Sequence, residues 1–246
     1  MSNLLVVDWD YFFANPMEAG DTDDERFWLF DWGHSESELF REMIWATRAP
    51  TFIKYDLPLP GVVVPDGWWD RFNISPDATV EISDSNMYSG IAGDHVEFEH
   101  VWLYDAHHDL YRVKTLTDYR RYMEKGIITC EDWMFIHHGN GSKLHWRWPQ
   151  WHTGGKDVRK TIPKWVGCDA HKDDMGKLDI EFDTVSICRS GSWVPPWCDD
   201  EFERFYLGCP GEITQVDEVN LKRSFDIEES RAWAAQMAEM EARRKA

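Results

Sequence analysis

Two four-residue runs, Leu4-Leu5-Val6-Val7 and Val101-Trp102-Leu103-Tyr104, are apolar at every position. A strand exposed on one face alternates apolar and polar residues. An unbroken apolar run suits a strand covered on both faces, as in a parallel sheet flanked by helices. Both runs end in acid. The first leads into Asp8-Trp9-Asp10-Tyr11-Phe12-Phe13, the second into Asp105-Ala106-His107-His108-Asp109-Leu110. The expected fold is therefore α/β with a mostly parallel sheet, with the N-terminal strand central in the sheet and close to the Val101 strand.

The acidic ends carry the chemistry. If the strand geometry continues past Tyr104, Asp105, His107 and Asp109 share one face. One imidazole with two carboxylates is a mixed nitrogen and oxygen metal site in outline. Asp8 and Asp10 alternate in the same way beside an aromatic cluster, where carboxylates are costly to bury without a compensating cation or hydrogen bonds. The plain alternatives are a solvated loop at 105–109 and an Asp that caps the next helix at Asp8. A cap accounts for one of the two N-terminal aspartates more readily than for both.

The pattern recurs at Asp169-Ala170-His171-Lys172-Asp173. The run before it, Lys164-Trp165-Val166-Gly167, is short and poorly apolar, and Asp174-Met175-Gly176-Lys177 after it reads as a polar turn. The second copy is expected to be a surface loop, not the metal site.

The 246 residues suffice for one domain with a large core. Most of the fifteen tryptophans and thirteen phenylalanines must fill that core. A formal charge of -19 argues against a nucleic-acid surface, which needs clustered Lys and Arg, and fits a neutral or cationic small-molecule substrate. No apolar run reaches transmembrane length and no signal peptide is visible, so no membrane partner is expected. Five cysteines without a Cys-x-x-Cys pair suit a reducing, cytoplasmic setting. Association into an oligomer stays open.

Helices are expected over 35–47, capped by Ser35 or Ser37, over 116–125, 199–206 and 230–244, the last within a C-terminal segment at about 227–246. Strands are expected at 4–8, 79–83, 99–104 and 183–188, with a short helix at 85–92 and a helix or strand end at 131–138. The Pro- and Trp-rich stretch 50–78 reads as irregular and 146–164 as a loop. His34 lies just before a helix, and His137 and His138 precede a glycine-rich turn. These three are the candidate acid or base groups, each weighed against a role in a simple turn. Arg189-Ser190-Gly191-Ser192 follows a strand, where it would bind an anionic group or, more simply, form a salt-bridged loop.

Asp105-Ala106-His107-His108-Asp109 resembles the Asp-Ala-His-x-Asp ligand motif of the arginase, agmatinase and histone deacetylase superfamily. Asp8-Trp9-Asp10-Tyr11-Phe12 resembles its second ligand strand. Cys130-Glu131-Asp132-Trp133-Met134 is similar to a Glu-Asn-Trp helix of an uncharacterised arginase-like branch, and Val185 to Ser190 with Pro195-Pro196 resembles that branch's closing strand. Patchily, the likeness covers 1–14 and 78–200. It implies a three-layer α/β/α fold with a mostly parallel sheet and a metal centre at the strand ends, in a single arginase-like metallohydrolase domain over 1–246. In that superfamily the Asp-x-Asp strand follows the other motif; here it precedes it, as in a circular permutation. The superfamily's further histidine, from a Gly-Asp-His turn, has no counterpart in Val80 to Asn86; Gly93-Asp94-His95 has the letters but sits close to the Val101 strand. The resemblance thus implies Asp105, His107 and Asp8 as the minimal ligand set.

The expected reaction is metal-assisted hydrolysis of a non-peptide C–N bond, as in an amide deacetylase or a ureohydrolase. A divalent ion lowers the pKa of its water to about 7 and polarises the substrate carbon. Zinc suits one ion held by Asp, His and Asp. Manganese suits two ions if Asp10 and Asp109 complete a carboxylate-rich pair; otherwise these two orient the ligands through hydrogen bonds. Two other readings stay open: a non-catalytic metal-binding interaction protein with a structural calcium or magnesium ion, and a metal-dependent phosphoesterase that uses Arg189 and the basic stretch 156–164.

Overall fold

The computed structural model describes residues 2–14, 38–95, 97–111, 113–126, 129–152, 161–217 and 223–245. His34, the Ser35 and Ser37 caps and part of the 156–164 stretch lie outside them. Seven strands form one sheet: β1 (Ser2–Asp8), β2 (Phe72–Ser83), β3 (Phe98–Tyr104), β4 (Lys143–Trp148), β5 (Cys168–Lys172), β6 (Leu178–Cys188) and β7 (Glu212–Gln215). Their order is β5-β4-β3-β1-β6-β2-β7, and every pairing is parallel. The N-terminal strand is thus central, between β3 and β6.

The pleat divides the central strands between two cores, as their unbroken apolar runs require. Leu5 and Val7 face a core built with Trp45 and Phe52 of the helix Glu38–Lys54 and Phe202 and Phe205 of the helix Asp199–Leu207. Leu4, Val6, Val101 and Leu103 face the other, with Trp133 and with Met134 and Phe135 of the helix Met134–Gly139. The result is a three-layer α/β/α arrangement. The Asp-x-Asp aromatics go inward: Trp9 packs on Phe12, Phe202 and Phe205, and Phe13 on Trp45.

Three expectations change. The 50–78 stretch is not wholly irregular. The first helix runs on through Pro50 to Lys54, its buried Trp45, Ala49 and Phe52 offsetting the roughly 3 kcal/mol that an interior proline costs. Strand β2 begins at Phe72, and its pairing with β6 shifts between Ile74 and Thr79, around Pro76, which has no N–H for the ladder. The 146–164 loop begins later than expected, because Trp146 to Trp148 close β4. The second Asp-Ala-His copy is also not a loop: it lies within β5, an edge strand paired only with β4.

Candidate metal centre

Four neighbouring strands, β3, β1, β6 and β2, deliver polar residues from their carboxyl ends to one place, where open α/β sheets bind ligands. Asp8 ends β1. It also caps the 3-10 helix Trp9–Phe12, its Oδ1 accepting from the Asp10 backbone N–H at 3.0 Å. Capping uses one oxygen of Asp8 and leaves Oδ2 to Asn86 and Ser190. After β3 the backbone does not stay extended. Asp105 Oδ1 accepts from the His107 N–H at 2.6 Å, and His108 Nδ1 accepts from the Leu110 N–H at 3.1 Å. Asp109 takes a left-handed conformation with φ 47, which aspartate tolerates better than most residues. This turn, not strand alternation, gathers the 105–109 side chains.

Asp10, Asp105 and His107 each present a ligand atom within 4.8 Å of the others. His107 Nδ1 lies 2.9 Å from Asp10 Oδ2 and 3.5 Å from Asp105 Oδ1. Asp8 and Asp109 stand beside this triad, joined to Asp105 through Asn86. The Asn86 Nδ2 donates to Asp8 Oδ2 at 2.6 Å, Asp105 Oδ2 at 3.1 Å and Asp109 Oδ2 at 3.2 Å. Ser190 Oγ donates to Asp8 Oδ2 at 2.6 Å, and Trp133 Nε1 to Asp109 Oδ2 at 2.5 Å.

Two of the four buried aspartates resist ionisation. Burial, then the charge of Asp10, pushes the Asp8 carboxyl well above its ordinary value; burial with the charges of Asp10, Asp8 and Asp109 does the same to Asp105. Burial pushes Asp10 up as well, but the charge and hydrogen bond of His107 outweigh it and hold Asp10 low. The donor set suits a divalent cation: several clustered carboxyl groups, an imidazole nitrogen among them, and a low-dielectric setting.

Asp8, Asp10, His107 and Asp109 of the cluster line a cavity of about 280 Å³ together with Tyr111, Cys130, Glu131 and Trp193, and Asp105 lies buried behind them. None of the cavity-lining residues described is Lys or Arg. Arg189 is fully buried and bound to Asp84 at 2.7 Å and Asp199 at 3.4 Å, so its segment is the salt-bridged loop and not an anion clamp. Neither His137 nor His138 lines the cavity. His137 is buried, its Nε2 2.8 Å from the Ser89 carbonyl, and His138 packs against Tyr119 and Trp165. Burial lowers the pKa of both. His108 is structural too: its Nδ1 accepts from Leu110, its Nε2 lies 2.5 Å from Thr161 Oγ1, and burial first, then His107, brings its pKa down to about 3.

The second copy holds no such cluster. Asp169 and His171 project from one face of β5, about half exposed, and Asp169 pairs with Arg147 at 2.8 Å. Asp173 turns back into the core, where Arg71 and Tyr11 bind it at 2.7 and 2.6 Å.

Asn86, Ser190, Glu131, Tyr111 and Trp193 carry no metal-motif signal. Asn86 was within reach all the same: it follows the strand expected at 79–83, so the strand-end logic applied to Asp8 and Asp105 covers it too. Reading Val80 to Asn86 only for a histidine passes over it. Compared with family models, with curated proteins and with solved structures, the chain matches none.

Proposed function

We propose that the protein is a metal-dependent hydrolase of a non-peptide C–N bond in a small neutral or cationic substrate. The observation that carries this reading is the convergence of Asp10, Asp105 and His107, two of which, Asp10 and His107, line a cavity. The likeness of the two acidic motifs to arginase and deacetylase ligand motifs supports it. A divalent ion, zinc or manganese, supplies water activation and polarisation of the scissile carbon when bound.

The chain's own residues do the rest. Asp10, Asp105 and His107 hold the ion, and Asp8 and Asp109 shape the field around it. Glu131 is the cavity-lining carboxyl outside the aspartate cluster, and it takes the proton-transfer role that His137 and His138, by their positions, do not fill. Tyr111 and Trp193 flank the substrate with aromatic faces, and the acidic floor favours a substrate without negative charge. A phosphoesterase reading finds little support in a cavity whose described lining has no Lys or Arg.

The test is elemental analysis of the purified chain with a screen of acetylated amines and guanidino compounds. The expected result is bound zinc or manganese and hydrolysis of one class, lost in Glu131→Gln with the metal retained. A protein that takes up neither ion overturns the reading. One that binds metal but hydrolyses nothing in the screen points to the non-catalytic metal-binding alternative.

A further inference from the structure

We propose that the Asn86 carboxamide stands where a second cation would sit and so holds the centre to a single ion. This rests on the metal-centre reading above.

The acidic cluster has two sides. On one, Asp10, Asp105 and His107 converge, and His107, 27% exposed, opens to the cavity. On the other, oxygens of Asp8, Asp105 and Asp109 surround the single nitrogen Asn86 Nδ2 at 2.6, 3.1 and 3.2 Å. Three carboxylates around one point make the donor set of a hard divalent cation. Here that point is filled by an amide nitrogen.

Its orientation is dictated by its surroundings. The Asn86 oxygen accepts from Ser89 Oγ at 3.4 Å, which leaves the NH2 group turned to the three aspartates. An amide has two hydrogens for three carboxylates, and its neighbours supply more: Ser190 to Asp8 and Trp133 to Asp109. Neutral donors thus do on this side what a second ion would otherwise do.

Asn86 is also held in place. It is 3% exposed and opens the 3-10 helix Asn86–Ile91, which Ser85 caps by accepting from the Met87 N–H. A cation entering here would have to displace a buried, tethered side chain. On the other side His107 lines the cavity instead of being enclosed. One ion with one nitrogen and two oxygen ligands from the protein favours zinc over manganese.

The experiment counts ions. The full chain and Asn86→Asp are dialysed to equilibrium against zinc, and separately against manganese, and bound metal per chain is measured. Circular dichroism checks the fold of the variant. Expected are one ion in the wild type and two in Asn86→Asp, the second site preferring manganese because all its ligands are oxygens. Two ions in the wild type overturn the proposal and leave the metal-centre reading standing. One ion in both proteins overturns it too, because Asn86 is then not what limits the count. No ion in the wild type removes the reading itself and the proposal with it. If Asn86→Asp does not fold, the wild-type count decides, and Asn86→Ala adds a check: a count that falls below the wild-type value makes Asn86 a ligand and overturns the proposal.

Discussion

The pattern Asp-Ala-His-x-Asp occurs at 105–109 and again at 169–173, and the two copies differ in everything but letters. The first begins where β3 ends, in the middle of the sheet, with Asp8 of β1 beside it. The second lies within an edge strand that has one neighbour. Beyond β3 the chain curls through an Asx turn, and Leu110 and Val113 anchor it in the core. In β5 the chain stays extended, so Asp169 and His171 point to solvent while Ala170 packs on the core behind. A ligand motif depends on which neighbouring strand ends surround it. Five residues alone do not specify that.

The largest test of this contrast removes β1. Deleting residues 1–10 takes away the strand between β3 and β6 and with it four fully buried apolar side chains. The shortened chain is expected to lose cooperative folding. A far-ultraviolet spectrum and melting curve like those of the full chain would make β1 peripheral and dissolve the distinction between centre and edge.

The corresponding histidines come next. His107→Ala is expected to weaken zinc binding by at least about 100-fold, more than losing an outer partner of a ligand usually does. His171→Ala should leave the affinity unchanged within error. Titration calorimetry on both variants separates them. Equal losses would mean that both copies feed one site.

The closing aspartates invert that order. Asp173 is a buried partner of Arg71, whose guanidinium also lies 4.4 Å over the Trp68 ring. Asp173→Ala leaves that charge buried without its carboxylate and should cost about 3–5 kcal/mol of stability, with metal affinity intact. Asp109→Ala should cost less, because it relieves repulsion among the aspartates while leaving the Trp133 N–H without its carboxylate. Denaturant unfolding measures both. A larger loss from Asp109→Ala would show that the first copy serves the fold before it serves a ligand.

Much of this was legible in the chain. Unbroken apolar runs at 4–7 and 101–104 announce a parallel sheet with β1 inside it, and acids at their ends announce the cluster. Less legible was whatever depends on partners distant in sequence. Pro76 argues against a strand, yet β2 passes it by slipping register. The run before 169 is weak because it only leads into the strand: β5 is Cys168–Lys172, the motif itself, at the edge of the sheet. His137 and His138 looked available because a His-His-Gly turn reads as exposed, whereas His137 closes on the Ser89 carbonyl 48 residues away. Asn86 has no motif of its own; its role comes from three aspartates on two other strand ends.

The smallest expected effect concerns the opening aspartates, whose acidities move in opposite directions. Burial, then neighbouring carboxylates, raise Asp105 and likewise Asp8. Burial also raises Asp169, but hydrogen bonds from Arg147 and His145 outweigh it and lower it. For a raised carboxyl the folded state binds more protons than the unfolded one above about pH 4, so stability falls as pH rises through the folded-state value. The slope is at most about 1.4 kcal/mol per pH unit for each proton involved. For Asp169 the sign reverses: its contribution is present above the unfolded value and is lost as pH falls through the lowered one. It is half exposed, so its share should be faint. Metal-free protein should therefore melt at progressively lower temperature as pH rises from 5 towards neutrality. Asp8→Asn should flatten that fall, whereas Asp169→Asn should leave it in place. Zinc should oppose it, because the ion binds the ionised carboxylates of the folded state. A melting temperature that rises over this range without metal, or a fall that Asp8→Asn leaves unchanged, would mean that the strand-end carboxylates are satisfied by their hydrogen bonds alone, and the central copy would then have no more call for a cation than the copy at the edge.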